Sequence, residues 1–242
     1  MKRIDIFVVF RLTSQIIQER AFEFLRLSIP LVLMIIVIII FKQVAHSFNY
    51  PFLHYLPVSI IPLTLMIAIA MTVVGWNKVF LIKDENLRNT PVFRMTFREW
   101  GFVVSYFKIM LGLFFIAMFT GMVLELLISN ETLFYSIVIM LIWYLFVRVS
   151  LVLPMLSVED KKVSLIQSWK LTEKHDVRLS VLLAIFPILL TIIFAILPES
   201  ESNAFNFSKF LSWVFVLFLE TGFLSMSYAW IKGYVDIDST VD

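Results

Sequence analysis

The sequence predicts an all-α membrane protein, a bundle of six transmembrane helices in which residues 1–242 form a single integral membrane domain. Three observations predict this fold. Of the 242 residues, 60% are hydrophobic and only 16% are charged, whereas a soluble domain carries about 25% charged residues. The apolar residues gather in six long stretches, and Lys and Arg gather in every second connection between them. A bilayer accommodates this pattern because lipid accepts apolar side chains around a whole helix.

Each apolar stretch is long enough to cross a bilayer, which takes about 20 residues. Helix is the expected structure because every backbone N–H and C=O inside lipid must be paired within its own segment. The stretches are uniformly apolar, whereas the strands of a membrane β-barrel alternate. The predicted spans, in chain order, are Leu27–Ala45, Leu56–Trp76, Phe102–Ile128, Leu133–Leu156, Leu179–Leu197 and Phe210–Ile231.

The basic residues predict the orientation of these spans. Of the 20 Lys and Arg residues, 16 lie before the first span, in the second and fourth connections, or after the sixth span. The opposite side has only Lys42, at the outer end of the first span, and Lys209. Because Lys and Arg accumulate on the cytoplasmic side of a membrane, both termini are predicted to be cytoplasmic.

Short amphipathic helices are predicted in three cytoplasmic segments. In the second connection, Thr90-Pro91 has the form of an N-cap followed by proline at the first helical position. The apolar side chains that follow at helical spacing are Phe93, Phe97 and Trp100. The other two segments are Leu12–Arg26 and Leu165–Trp169. Such helices either lie in the interface beside anionic lipid or pack against the ends of the bundle.

An internal repeat of three helical hairpins is also predicted, each with a cytoplasmic helix, a span, an outer turn and a returning span. Ser28, Ser105 and Ser180 open the odd-numbered spans. Acidic pairs follow the even-numbered spans, namely Asp84 with Glu85, Glu159 with Asp160, and Asp236 with Asp238. The alternative is that any six-span chain with one topology shows similar spacing.

Four ionisable residues fall within the predicted spans: Lys108, Glu125, Arg148 and Glu220. A charge near the middle of a membrane costs at least about 2.5–3.5 kcal/mol, so such residues usually face other helices and find partners. Depth along the spans predicts an Arg148–Glu220 ion pair, with Lys108 as the rival partner. Two alternatives stay open: these residues form a substrate or ion site, or Lys108 and Arg148 extend separately to cytoplasmic headgroups. Glu125 lies near the outer end and is expected to reach that interface.

Motifs for catalysis, metal binding or cofactor binding are not found in the sequence. Cysteine is absent, and His46, His54 and His175 lie in connections with no set of convergent ligands, so no metal site is expected. The sequence contains no nucleophile elbow, zinc-protease motif or phosphate-binding loop. The net charge of +2 is too small to indicate a nucleic-acid partner. The sequence therefore predicts a protein that is not an enzyme and has no cofactor.

The most distinctive stretch runs from Arg148 to Thr172. It contains R-V-S-L-V-L-P, which ends at Pro154, the acidic pair at residues 159–160, and S-W-K-L-T at Ser168–Thr172. This stretch resembles the membrane domain of bacterial glycerophosphoryl diester phosphodiesterases and related multi-pass inner-membrane proteins. The resemblance covers about a tenth of the chain. It implies a bacterial inner-membrane module with a cytoplasmic motif at Ser168, Trp169 and Thr172. It does not imply the phosphodiesterase activity, which in those relatives belongs to a separate soluble domain.

Two functions are expected from these features. The first is a non-enzymatic membrane-embedded module that engages membrane lipids, another membrane protein or a second copy of itself through its basic cytoplasmic face. The second is a transporter of a small molecule or lipid, with Arg148, Lys108 and Glu220 lining its path. A transporter predicts a cavity that reaches Arg148 and Glu220, whereas a module predicts that these side chains are packed and paired.

Overall fold

The computed structural model describes residues 4–48, 51–82, 91–93, 95–125, 130–158, 163–196 and 203–234. Within these ranges the protein is helical, with turns and short connections and no β-strand. The helices are α1 (Ile6–Glu19), α2 (Ala21–Leu27), α3 (Ile29–Phe48), α4 (Pro51–Leu81), α5 (Phe97–Glu125), α6 (Glu131–Ser150), α7 (Val152–Val158), α8 (Leu165–Thr172), α9 (Asp176–Ile196) and α10 (Asn203–Lys232).

Several of these helices are long and apolar enough to cross a membrane. Four such segments lie within the described residues: Leu63–Leu81, Phe97–Glu125, Thr132–Val158 and Ser212–Lys232. A fifth is formed if Ala21–Leu27 and Ile29–Ile40, which are bent by 43°, make one span. The prediction of an all-helical protein is thus confirmed for the described residues, and their four to five candidate spans, where the sequence predicted six over the whole chain, are those expected of a membrane protein.

The outward faces of the long helices carry large apolar side chains. Phe107, Phe114 and Phe119 on α5 are exposed, as are Ile139 and Met140 on α6. In water such a surface would be unfavourable, but it suits contact with lipid tails, which are as apolar as these side chains.

Helices α4 and α10 lie at the centre of the bundle. Helix α4 packs against α2, α3, α5, α7 and α10, and α10 also packs against α1, α7 and α9. The largest fully buried side chains, Trp76, Tyr228 and Phe223, belong to this pair of helices. Gly222 on α10 allows a close approach, because a Cβ there would lie 2.7 Å from Thr13 Cγ2 and 2.8 Å from Phe80 Cζ.

The N-terminal segment forms two helices where the sequence predicted one helix over Leu12–Arg26. Helix α1 begins earlier than predicted, because the Asp5 side chain caps the backbone N–H groups of its first turn. The chain turns at Arg20, whose guanidinium donates hydrogen bonds to the carbonyls of Val79 (2.9 Å) and Ile82 (2.7 Å). Arg20 thereby satisfies carbonyl groups at the C-terminal end of α4, which have no partner within that helix.

The prediction of a short helix beginning at Thr90-Pro91 is wrong within the described residues. Residues 91–93 and 95–96 are not helical, and Thr90 lies outside the described residues. Helix α5 begins after Thr96, where the Glu99 side chain caps the start of the helix. The Thr96 N–H donates to a Glu99 carboxyl oxygen at 2.8 Å, the Thr96 hydroxyl donates to the same oxygen, and the Arg98 N–H donates to that hydroxyl. Glu99 decides where the helix starts, so Phe97 and Trp100 belong to the first turn of α5 itself.

The fourth predicted span, Leu133–Leu156, is divided into α6 and α7 by a turn at Leu151. Pro154 explains the interruption, because proline has no N–H and its ring excludes the carbonyl four residues earlier, that of Ser150. The carbonyl groups in the last turn of α6 consequently need other donors.

The predicted repeat of three hairpins stays a prediction. Two short helices precede α3 and one short helix precedes α9, whereas the described residues between α4 and α5 are not helical. The acidic pairs that suggested the repeat lie outside the described residues, at positions 84–85, 159–160, 236 and 238.

Candidate functional site

Arg148, near the end of α6, lies against aromatic rings. Its guanidinium carbon is 4.7 Å from the ring centroid of Trp169 on α8 and 5.4 Å from that of Tyr144, one turn earlier on α6. Its Nε donates a hydrogen bond to the Tyr144 hydroxyl at 3.1 Å. The side chain is buried, and Nη1 has no hydrogen-bond partner within the described residues. Cation–π contact with two rings is therefore the main compensation for burying this charge.

The expected Arg148–Glu220 ion pair is not formed. Depth along the helices suggested the pair, but the direction of each side chain decides the contact. Phe146 lines a cavity that also contains Glu220, whereas Arg148, two residues further on, points about 200° around the helix. Arg148 consequently faces α8. Lys108, the rival partner, is exposed on α5. It follows Tyr106, which lines the cavity, by two residues, so its side chain also points about 200° around its helix from a lining residue.

The cytoplasmic motif of Ser168, Trp169 and Thr172 meets Arg148 directly. The Ser168 hydroxyl donates to the Arg148 carbonyl at 3.0 Å. The Thr172 hydroxyl, one turn later on α8, lies 3.1 Å from the same oxygen, and its single proton is shared with the carbonyls of Ser168 (3.1 Å) and Trp169 (3.0 Å). The Arg148 carbonyl lies in the last turn of α6, which Pro154 interrupts. A capping box between Ser164 and Gln167 fixes the start of α8. The distinctive residues of the sequence thus form one cluster that joins α8 to the end of α6.

Glu220 faces a cavity of about 390 Å³ between α4, α5, α6, α7 and α10. Most of the lining is aliphatic or aromatic. The polar side chains that line it are Asn77, Tyr106, Glu220 and Thr221, and the Thr221 hydroxyl donates to the Leu217 carbonyl at 2.7 Å within α10. Of the described lining residues, Glu220 alone carries a carboxyl group. Within the described part of the chain, no Lys, Arg or His forms an ion pair with it.

A buried polar network borders this cavity at Asn77. The Asn77 amide nitrogen donates to the Ser157 hydroxyl of α7 at 3.1 Å, and the Ser225 hydroxyl of α10 donates to the Asn77 amide oxygen at 2.5 Å. Ser157 also donates to the Leu153 carbonyl at 3.0 Å. All three polar residues are at most 1% exposed. Because the Asn77 oxygen and nitrogen both have partners, the network fixes α4, α7 and α10 against one another.

An ion pair lies beside this network. Lys78 Nζ is 3.8 Å from a carboxyl oxygen of Glu99, and both side chains are buried. Glu99 also serves the cap of α5, so one carboxylate fixes the start of that helix and compensates the Lys78 charge. Sequence reasoning missed this pair, because both residues lie just outside the predicted spans: Lys78 was counted only as a connection charge, and Glu99 was not singled out. The T-x-x-E spacing at Thr96–Glu99 was the available signal.

The geometry can bind a ligand more readily than it can catalyse a reaction. The described cavity residues include one carboxyl group, one phenol and one hydroxyl that is already bonded within its helix. Across the described ranges, no group of three or more His, Asp or Glu side chains could hold a metal ion. Glu125 is exposed at the end of α5, away from the cavity.

No known protein family, curated protein or solved structure matches this chain. The resemblance to the phosphodiesterase membrane domain therefore rests on the residues between Arg148 and Thr172 alone.

Proposed function

We propose that this chain is a non-enzymatic, six-span membrane protein that holds an amphipathic ligand of the bilayer, a lipid or an apolar small molecule, in the cavity around Glu220. The cavity is the observation that carries this proposal. Its volume of about 390 Å³ falls within the range of about 300–1,000 Å³ found for ligand sites, which are also mostly apolar with a few placed polar groups.

The six-span arrangement is supported by two features. Helix α9 has 21 residues, which at 1.5 Å per residue gives about 30 Å, the thickness of a hydrocarbon core. Counting α9 and the bent α2–α3 pair with the four long segments gives six spans. The basic connections then place both termini in the cytoplasm, and the resemblance at Arg148–Thr172 favours a bacterial inner membrane.

The position of Arg148 modifies the transporter hypothesis. A path lined by Arg148, Lys108 and Glu220 together is not supported, since Arg148 packs against Trp169 and Lys108 is exposed on α5. The part that remains supported is a ligand site at Glu220. A lipid carrier, a lipid-dependent scaffold and a transporter would all use such a site.

Native mass spectrometry of the protein purified in mild detergent tests the proposal. The wild type is expected to retain amphipathic adducts, and Ala70→Phe is expected to lose them because Ala70 is buried and lines the cavity. Ala117→Phe, on α5 and outside the lining, is the matched control. Equal adduct retention by both variants would show that the ligand binds elsewhere or that the adducts are annular lipid.

A second candidate is the interaction or assembly module that the sequence predicts, with a partner protein or a second copy at the cytoplasmic face. The exposed apolar side chains of α1 and α2 favour it, with Phe7 85%, Phe22 74% and Leu25 72% exposed. A specific partner should be retained by the wild type and lost from the Phe7→Ser, Phe22→Ser double variant. Retention of the same partner by the double variant would contradict the proposal that these side chains of α1 and α2 bind a partner.

A further inference from the structure

No positively charged side chain lies beside the Glu220 carboxyl group among the described residues that line the cavity. Apart from this carboxyl group, the described cavity lining is uncharged. Arg148 and Lys108 face away from the cavity, and Lys78 pairs with Glu99. A carboxylate removed from water without a counter-charge costs several kcal/mol. A cation bound in the cavity would supply the counter-charge that the described residues do not provide.

Aromatic side chains surround the same space. Phe102, Tyr106, Phe146 and Trp213 line the cavity together with Glu220. The faces of aromatic rings attract cations, and combinations of such rings recognise quaternary ammonium groups and substituted amines. Aromatic rings also accept apolar groups, so they suit a ligand that is both positively charged and hydrophobic.

The remaining polar groups of the lining offer hydrogen bonds but no positive charge for an anion. One of the two N–H groups of the Asn77 amide already donates to Ser157. The Thr221 hydroxyl donates to a backbone carbonyl. A phosphate or carboxylate placed here would meet the Glu220 carboxyl without a described cation beside it.

From these observations we infer that the cavity binds a lipophilic cation, an amphiphile that carries an amine or quaternary ammonium group, with the cationic group at Glu220 and its apolar part among the aromatic and aliphatic side chains. This inference rests on the proposed function and names the ligand class for the same site.

Binding of octyltrimethylammonium tests the inference, compared with the uncharged analogue in which carbon replaces the quaternary nitrogen. Affinity is measured by isothermal titration calorimetry in a neutral maltoside detergent. The wild type is expected to bind the cation at least about tenfold more tightly than the analogue, because only the cation gains the charge interaction in a low-dielectric site. Glu220→Gln is expected to remove that preference. Glu125→Gln, which changes an exposed carboxyl group on α5, is expected to retain it.

The possible results separate this inference from the proposed function. If the wild type binds both compounds equally and Ala70→Phe abolishes both, an amphiphile site exists but the cation inference is wrong. If Ala70→Phe changes the binding of neither compound, the cavity is not the site and both proposals fail. The comparison of the two compounds on the wild type decides the charge preference even if Glu220→Gln does not fold.

Discussion

The hydroxyl group of Thr172 donates a hydrogen bond of 3.1 Å to the carbonyl oxygen of Arg148, 24 positions earlier in the chain. Ser168 donates to the same oxygen, and Trp169 between them lies against the Arg148 guanidinium. One turn of α8 thus contacts both the backbone carbonyl and the guanidinium of Arg148. This arrangement explains why an Arg…Pro pattern and an S-W-x-L-T segment occur together: the proline interrupts α6, and α8 supplies donors to its last turn.

Thr172→Val should destabilise the protein. Valine has nearly the same shape as threonine but cannot donate to the buried Arg148 carbonyl, so a loss of about 1–2 kcal/mol is expected. The melting temperature in detergent measures it. Thr132→Val, at an exposed position near the start of α6, is the control and should change stability little. An unchanged melting temperature for Thr172→Val would mean that the Thr172 proton goes to the Ser168 or Trp169 carbonyl within α8, and that Ser168 alone satisfies the Arg148 carbonyl.

Glu99→Gln should be strongly destabilising although it preserves the shape of the side chain. Glutamine can still accept from Thr96 in a capping box, but Lys78 would lose its buried counter-charge, at a cost of about 3 kcal/mol. Unfolding in detergent measures this loss. Adding Lys78→Met to Glu99→Gln should recover part of the stability because the uncompensated charge is removed. A double variant no more stable than Glu99→Gln would show that the uncompensated Lys78 charge does not cause the loss.

Gly222→Ala and Gly112→Ala should have opposite effects. At Gly222, a Cβ would meet the buried Thr13 and Phe80 side chains below 3.0 Å, so overpacking should cost about 1–3 kcal/mol. At Gly112, in the interior of α5, nothing lies within 4 Å, and alanine should stabilise the helix by up to about 1 kcal/mol. Melting temperatures of the two variants measure both effects. Thr13→Ser removes one of the two contacts at Gly222 and should partly rescue Gly222→Ala.

His175 should make the stability of the protein depend on pH. Its Nδ1 accepts a hydrogen bond of 3.4 Å from the Ile4 N–H, and Nε2 is buried with no hydrogen-bond partner among the described residues. Burial and, next, the nearby Arg178 guanidinium lower the pKa of His175 below its ordinary value of 6.5, and Asp176 opposes this shift only in part. The unfolded chain therefore binds the proton more readily than the folded protein. Stability from this group is complete above about pH 6.5 and is lost as the pH falls from there towards the folded pKa.

The melting temperature from pH 7.5 down to pH 5 at constant ionic strength tests this pH dependence. His175→Gln should reduce the fall in melting temperature below pH 6.5, because glutamine does not titrate. Equal slopes for wild type and variant would show that other groups cause the acid sensitivity. Protonation of His175 should also weaken the attachment of the N-terminal segment, since Ile4 is bound by His175 and by Arg178, which donates to the Ile4 carbonyl. Limited proteolysis near residue 4 would detect the release of this segment at low pH.

The sequence allowed most of the helices to be predicted but few of the side-chain partners. The positions of the apolar stretches predicted helices α4, α5, α9 and α10, because the mean hydropathy of a segment depends only on the residues within it. The sequence predicted a separate short helix at Thr90-Pro91 and a span beginning at Phe102, whereas α5 begins at Phe97; Thr90-Pro91 and Thr96 both have the form of helix starts. Only the contact of Glu99 with Thr96 and Lys78 distinguishes them. Arg148 and Glu220 were recognised as unusual, yet their pairing was wrong because depth along a helix does not state which way a side chain points.

The amino-acid order by itself determined that this chain is helical and has segments apolar enough to cross a membrane, because the free energy of transferring a segment into lipid is nearly a sum over its residues. The tertiary structure decided that Arg148 packs against Trp169, that Asn77 joins three helices and that Glu220 faces a cavity. These outcomes depend on the rotation of each helix about its axis and on which neighbour it meets. Both are set by contacts between residues far apart in the chain.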